Sequence, residues 1–270
     1  MSALPSTPLV AARRISFELL SFSRETSAVV FNFAYPVIMY LIFVGSGVFG
    51  EDLKMSDFGM NQFFLPGILA TGIVLATTQE LGLRVVEERQ TSLLKRLRTT
   101  PTTALGYVLG KLGQVSVIAL AQTALLLAVA TLGFGATLPG TAEKWGIFFA
   151  TLLLGIACGA ALGFGLAVLL PTVRSANGVI VPTVLVLQFF SGVFFPFDSL
   201  PGWMQTVASV FPLRWLASGM RAAFFPDYMA DLEPSGSFNV LVGLLVLSAW
   251  TVVSAVVAVR FFRWVPHEQS

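Results

Sequence analysis

Six long apolar stretches constrain the fold of this chain more than any other feature of its sequence. They cover approximately residues 28–49, 63–83, 112–133, 147–170, 177–197 and 238–259. About twenty helical residues span the roughly 30 Å hydrocarbon core of a bilayer, and a helix satisfies its own backbone hydrogen bonds where no water is present. We therefore predict an all-α membrane protein with six transmembrane helices.

The composition excludes most other classes of protein. Hydrophobic residues make up 56% of the chain and charged residues 11%, whereas a soluble domain carries roughly 25% charged residues. A net charge of +2 leaves no basic surplus for a nucleic-acid backbone. The single cysteine, Cys158, lies in an apolar run, and the single histidine, His267, follows the last one. We therefore expect no nucleic-acid partner, catalytic site, metal site or bound cofactor in this chain.

The residues before the first apolar stretch have the pattern of an amphipathic helix. Between Leu9 and Thr26, polar residues at helical spacing define one side and apolar residues the other. The polar side is Arg14, Glu18, Ser21 and Glu25, and the apolar side is Ala12, Ile15, Leu19 and Phe22. We predict a helix lying flat in the headgroup region with its polar side toward water; a disordered leader is the alternative. With no cleavage site evident, the first span should remain as an anchor.

Basic residues are distributed unequally between the two ends of such a bundle. If the six helices alternate in direction, twelve Lys and Arg residues fall on the side of the second connection and four on the other side. The positive-inside rule then predicts a cell-membrane protein with both termini in the cytoplasm. We divide the chain into a cytoplasmic tail and amphipathic helix (1–27), a six-helix domain (28–260) and a cytoplasmic tail (261–270).

The second connection, Arg84 to Thr100, reads RVVEERQTSLLKRLRTT and is the stretch most informative about function. Its apolar residues recur at helical spacing among charges, which predicts a cytoplasmic helical hairpin with exposed leucines. Such a helix either lies on the headgroup layer or docks on a soluble partner. The candidate docking residues are Glu87, Glu88, Arg89, Leu93, Leu94, Lys95, Arg96 and Leu97.

Small and polar residues inside the apolar stretches are candidates for helix packing or for a transport path. Gly155, Gly159 and Gly163 recur every four residues, a spacing that lets helices approach closely either within one subunit or between subunits. The candidate path-lining residues are Asn32, Tyr35, Thr71, Thr78, Gln79, Thr183, Gln188 and Phe189. Each of them could equally satisfy a helix-helix hydrogen bond. Glu80, the one ionisable side chain at membrane depth, is predicted to pair with Arg84 four residues later.

The stretch between Pro196 and Phe238 is too apolar for a free loop. Its spacing predicts two short helices, each too short to span, which would dip into the outer leaflet and return. Arg214 and Arg221, seven residues apart on the second helix, are interpreted as side chains that snorkel to the interface.

No ATP-binding motif accompanies these features. The nearest approach to a P-loop, GYVLGKL at 106–112, has the wrong glycine spacing and ends in leucine. Any ATP and Mg would therefore have to be bound by another chain.

Three stretches resemble the ABC-2 type transporter permeases, the membrane subunits of a class of ATP-driven exporters. They are FFLPGILATGIV (63–74), EERQTSLLKRLRTTP continuing to LGKL (87–112) and SGVFFPFDSLPGWMQTVASVFPLRWLASGMR (191–221). The resemblance implies two permease copies, identical or related, above two separate ATPase subunits that hold ATP and Mg. It implies a coupling helix near 87–98, a connecting helix near 10–25, and outward movement of a drug, lipid or glycolipid. A membrane scaffold that recruits a cytoplasmic partner without transport is the alternative.

Overall fold

The computed structural model describes residues 7–45, 59–91 and 104–261, and every regular element in these ranges is helical. The α-helices are α1 Thr7–Arg24, α2 Thr26–Gly45, α3 Met60–Val74, α4 Leu81–Gln90, α5 Ala104–Ala128, α6 Ala142–Leu169, α7 Val173–Phe190, α8 Gly202–Val210, α9 Pro212–Phe224 and α10 Val240–Phe261. Two π-helical segments, Leu75–Glu80 and Val129–Gly133, and two 3-10 segments, Phe197–Ser199 and Asp227–Leu232, complete the described elements.

Six of these helical runs are long and apolar enough to cross a membrane, which confirms the predicted fold class. The spans are Thr26–Gly45, Met60–Gln90, Gly106–Gly133, Ala142–Leu169, Val173–Phe190 and Val240–Phe261. The second span consists of α3, a π segment and α4, and it is the most buried of the six. It runs about two helical turns beyond the predicted end near residue 83 because Val85 and Val86 are fully buried and keep the helix packed. Glu87, Glu88 and Arg89 therefore continue this span without a break.

Contacts between helix ends define two ends of the bundle. Arg89 at the end of the second span reaches Leu170 at the end of the fourth. At the other end, Gln62 near the start of the second span donates to the backbone oxygens of Thr137 and Phe224. We call the end with Arg89 and Leu170 the charged end, and the end with Gln62 the opposite end.

The glycine positions of the fourth span allow close approach to helices of the same chain. Gly155 faces Leu216 of α9 and Gly159 faces Thr77 of the second span. A Cβ atom at Gly163 would lie 2.8 Å from the Thr77 carbonyl oxygen, closer than packed atoms allow. The carbonyl groups near Gly163 are those of Thr77 and Thr78, which belong to the π segment Leu75–Glu80. The glycine face of the fourth span therefore packs against this π segment.

The short helices α8 and α9 occur where the sequence predicts two. The environment of α9, however, differs from the predicted one. Twelve of the thirteen residues of α9 are buried, and it packs against the second, fourth and sixth spans. The interpretation of Arg214 and Arg221 as snorkelling side chains is therefore wrong. Both are buried because the carboxylate of Glu233, which follows the second 3-10 segment, supplies a counter-charge inside the protein.

The faces of α1 also differ from the prediction. Glu18, expected on the water-facing side, is 3% exposed, whereas Phe17 and Leu20 are 58% and 50% exposed. The reason is tertiary: α1 turns the side that carries Arg14 and Glu18 toward the third span, where Lys111 is buried. The position of α1 at the membrane interface stays a prediction.

Candidate functional site

A buried ion-pair network joins three helices at the charged end. Lys111, at the start of the third span, is fully buried and donates to Glu18 of α1 at 2.7 Å and to Glu88 of the second span. Tyr107 donates to the other carboxylate oxygen of Glu88 at 2.7 Å, and Arg14 pairs with Glu18. These five residues form the Lys111 network. Its two cations and two carboxylates cancel in charge, which is the condition under which buried charges are tolerated.

Local sequence explains why these side chains meet. Tyr107 and Lys111 are four residues apart on one helical face, as are Arg14 and Glu18, so each helix presents two polar groups to the other. Gly110 and Gly113 flank the Lys111 position, and Arg14 and Ile15 pack directly on them. The absence of side chains at these two glycines allows α1 to lie close enough for the buried contact.

A second link at the charged end involves Arg84. It donates to Glu80 one turn earlier in the second span, which confirms the predicted pair, and also to Glu25 between α1 and α2 at 2.7 Å. The beginning of the first span is therefore tied to the second span by an ion pair. The Glu80 contact lies within the second span, whereas the Glu25 contact joins that span to the segment between α1 and α2. A movement of the second span would therefore change the Glu25 contact and not the Glu80 contact.

The two residues after Glu88 form hydrogen bonds with the fourth and fifth spans. Arg89 donates to the backbone oxygens of Ala167 at 2.7 Å and Leu170 at 3.0 Å, at the C-terminal end of α6. Carbonyl groups at a helix C-terminus have no partner within the helix, and a cation there also interacts favourably with the helix dipole. The side-chain oxygen of Gln90 accepts from the backbone nitrogen of Val173, at the start of α7, at 3.2 Å. Glu88, Arg89 and Gln90 thus contact the third, fourth and fifth spans in succession.

The residues predicted for partner docking are only partly described. Glu88 and Arg89 belong to the contacts above, and Glu87 is exposed. Leu93, Leu94, Lys95, Arg96 and Leu97 lie outside the described residues. The described chain leaves the second span at Thr91 and re-enters the third at Ala104, so the intervening residues 92–103 connect two helices that the Lys111 network joins directly.

The residues predicted to line a path do not form one continuous surface. Tyr35 of the first span donates to Gln188 of the fifth at 3.4 Å, which brings two of them together. Thr78 donates to the backbone oxygen of Gly159 at 3.1 Å, and Asn32 donates within its own helix. Of the others, Thr71 is buried, Gln79 is partly buried, and Phe189 is exposed, while Thr183 lies on an exposed part of the fifth span near Thr78.

An apolar cavity of about 140 Å³ lies between the second, fourth, fifth and sixth spans and α9. Thr78 and Thr183 line it, together with Gly159, Leu216 and Trp250. Its surface is almost entirely apolar, so it fits a hydrocarbon or aromatic group better than an ion.

Sequence reasoning missed four of the five members of the Lys111 network, all except Glu88. Arg14 and Glu18 were assigned only to the polar side of an amphipathic helix, and neither Tyr107 nor Lys111 was named as a site residue. In the structure Tyr107 and Lys111 bind Glu88, and Lys111 also binds Glu18, which pairs with Arg14. A usable signal was present: the lysine in LGKLG lies between two glycines at the start of an apolar span, which favours burial of that lysine against another helix.

The described residues define a helical membrane protein with six spans, in which an ion-pair network joins α1 to the second and third spans, an architecture that suits the membrane subunit of a transporter. The family model described as ABC-2 type transporter matches residues 15–225, and the chain belongs to that family. It is similar to the Escherichia coli K12 protein named "Probable multidrug ABC transporter permease YbhR", with 25% identity over 191 residues, 70% of this chain and 50% of that protein. It is also similar to the Streptomyces coeruleorubidus "Daunorubicin resistance ABC transporter permease protein DrrB1", with 26% identity over 235 residues, 84% of this chain and 77% of that protein. The chain matches about half the length of YbhR.

Proposed function

We propose that this chain is the permease subunit of an ABC exporter that moves a hydrophobic or amphiphilic compound across the cell membrane. Two separate ATPase subunits would bind ATP and Mg, and a second permease copy would complete the assembly. The observation that carries the proposal is the succession Glu88, Arg89 and Gln90, which ties the end of the second span, immediately before the connection 92–103, to three other spans. The printed names of YbhR and DrrB1 support the choice of a drug-like substrate.

In this mechanism the connection 92–103 is pushed when the ATPases close. The push reaches the second span at Glu88 and the third at Lys111, so both helix ends move together with α1 as one rigid unit. Arg89 carries the same displacement to the fourth span through backbone contacts. Buried ion pairs suit this role because separating either partner leaves an uncompensated charge in a low-dielectric setting.

The π segment of the second span is where the proposed motion would be absorbed. π segments occur often at functional sites, where the regular hydrogen-bond ladder is interrupted. This one lies between the charged end and the remainder of the span, against the glycine face of the fourth span. Thr77 and Thr78 can therefore slide over Gly159 and Gly163 without displacing a side chain of the fourth span.

We propose that the transported compound passes along the apolar cavity and the adjoining surfaces that Tyr35 and Gln188 border. The apolar lining supports a hydrophobic or amphiphilic substrate. Thr78 and Thr183 would supply hydrogen bonds inside the cavity, whereas Asn32, Thr71, Gln79 and Phe189 are proposed to line other parts of the path.

The decisive experiment changes the apolar docking residues of the connection. Replacing Leu93 and Leu94 together by Asp should abolish co-purification of the ATPase while membrane insertion stays intact, because an apolar contact cannot accept two carboxylates. Thr91→Asp is the matched control: it introduces a carboxylate at the exposed position immediately before the connection and should leave co-purification unchanged. Equal co-purification of the double variant and the wild type would contradict the docking proposal.

The scaffold alternative requires a different measurement. A scaffold would bind its cytoplasmic partner, but vesicles containing both proteins would show no ATP-dependent movement of a hydrophobic dye. A permease should move the dye only when the ATPase and ATP are both present. Binding without transport would favour the scaffold.

A further inference from the structure

A second buried charged cluster lies at the opposite end of the bundle, formed by Arg214, Arg221 and Glu233. These residues are 6%, 7% and 3% exposed. Arg214 pairs with one carboxylate oxygen of Glu233, and Arg221 donates to the other at 2.9 Å. Arg221 also donates to the backbone oxygen of Gly192 at 2.8 Å.

The charges of this cluster do not balance. One carboxylate serves two guanidinium groups, and Nε and Nη1 of Arg214 have no hydrogen-bond partner among the described residues. Burial, followed by repulsion from Arg221, lowers the pKa of Arg214 to about 10 although Glu233 acts in the opposite direction. Arg214 thus stays charged at neutral pH. A buried positive charge without a matching anion is unfavourable, so one more negative group beside Arg214 would stabilise the cluster.

A cavity of about 280 Å³ lies beside Arg214, which forms part of its lining. Most of its other lining residues can donate or accept hydrogen bonds. The polar ones that matter here are Gln205, Thr206, Ser209, Ser235 and Asn239. The guanidinium of Arg214 stacks on Phe197, 3.7 Å from the ring centroid, which fixes its orientation. Planar guanidinium groups surrounded by hydroxyl and amide groups are suited to phosphate and carboxylate oxygens.

The surroundings of the cavity favour an amphiphile over a free anion. Gly202, Gln205 and Thr206 of α8 line the cavity, while Trp203, Val207 and Val210 of the same helix are exposed and apolar. A headgroup in the cavity would therefore leave its hydrocarbon chain beside an apolar helix face. We propose that this cavity binds the anionic headgroup, phosphate or carboxylate, of a membrane amphiphile, with Arg214 as its ionic partner.

This inference goes beyond the proposed transport function, since the bound amphiphile need not be the transported compound. Its test uses neither ATP nor transport, so it can fail while the permease proposal stands. The full chain, purified in detergent, is titrated with phosphatidylglycerol or phosphatidylcholine of identical acyl chains, and bound lipids are counted by native mass spectrometry. We expect about tenfold tighter binding of phosphatidylglycerol, the effect of one charge-assisted pair.

Arg214→Gln should abolish this preference. The substitution leaves Glu233 paired with Arg221, so the fold should survive. Lys144→Gln is the matched control, because it removes one positive charge at the same end of the bundle outside the cavity lining, and it should retain the preference. Thr206→Phe is a second variant that fills the cavity from an exposed position without touching the ion pairs, and it should also abolish the preference.

Titration with inorganic phosphate distinguishes a lipid headgroup from a free anion as the group that binds in the cavity. We expect millimolar phosphate neither to bind in an Arg214-dependent way nor to displace phosphatidylglycerol. Arg214-dependent phosphate binding without any lipid preference would overturn the assignment to an amphiphile. An absent preference in the wild type, or an undiminished one in either Arg214→Gln or Thr206→Phe, would overturn the site itself.

Discussion

The two ends of the bundle bury charged side chains in opposite ways. At the charged end, Lys111 and Arg14 face Glu18 and Glu88, and the charges cancel. At the opposite end, two arginines share Glu233 alone. Separating the members of a balanced buried cluster would leave an uncompensated charge, so such a cluster resists being pulled apart. An unbalanced cluster beside a cavity would instead be stabilised by another negative group. Under the two proposals above, the charged end would transmit force and the opposite end would bind an anion.

Breaking the balance at the charged end should have the largest effect on stability. Lys111→Met leaves Glu18 and Glu88 buried against one cation, and loss of a buried partner costs about 3–5 kcal/mol. The double variant with Glu88→Gln restores neutrality, because Arg14 still pairs with Glu18, and should recover most of that loss. Denaturation in mixed micelles measures both. If the single and double variants were equally stable, charge balance would not be what holds this end together.

An intermediate effect is expected from the Arg89 contact, which is proposed to carry motion to the fourth span. Arg89→Ala removes two hydrogen bonds to helix-terminal carbonyl groups, a loss of about 2 kcal/mol, since bonds to charged groups contribute about 1.5–3 kcal/mol each and this site is partly exposed to solvent. ATPase co-purification should persist while ATP-driven dye transport falls about tenfold.

The control for this prediction is Arg174→Ala, which removes an exposed arginine at the same end of the bundle and should alter neither stability nor transport. A variant of Arg89 that transports at the wild-type rate would show that the fourth span is driven by another route.

The smallest effect is expected at the opposite end. Arg214→Gln removes the surplus charge but keeps the Glu233–Arg221 pair, so the free energy of unfolding should change by less than about 1 kcal/mol. Glu233→Gln in the same assay should destabilise the protein far more, because it leaves two buried cations unpaired. A large loss of stability in Arg214→Gln alone would place this cluster in the same class as the Lys111 network.

Much of the architecture follows from hydropathy. The six spans, the two short helices after the fifth span and the pair between Glu80 and Arg84 were all predictable, since each depends on apolar length or on spacing along one helix. Which side of α1 faces water could not be predicted from the sequence. Helical periodicity places Arg14 and Glu18 on a polar side, but it cannot tell whether that side meets water or a buried lysine of another helix.

The sequence alone thus determined that this protein spans a membrane, how many times it does so, and the family to which it belongs, because lipid imposes a fixed apolar length and the family stretches are continuous in the chain. The tertiary structure decided which charges are partners. Glu18 and Lys111 are 93 residues apart, and Glu233 reaches back to Arg214 from beyond the end of α9. Coulomb energy depends on distance in space and on local burial, and neither quantity is encoded in the spacing of residues along the chain.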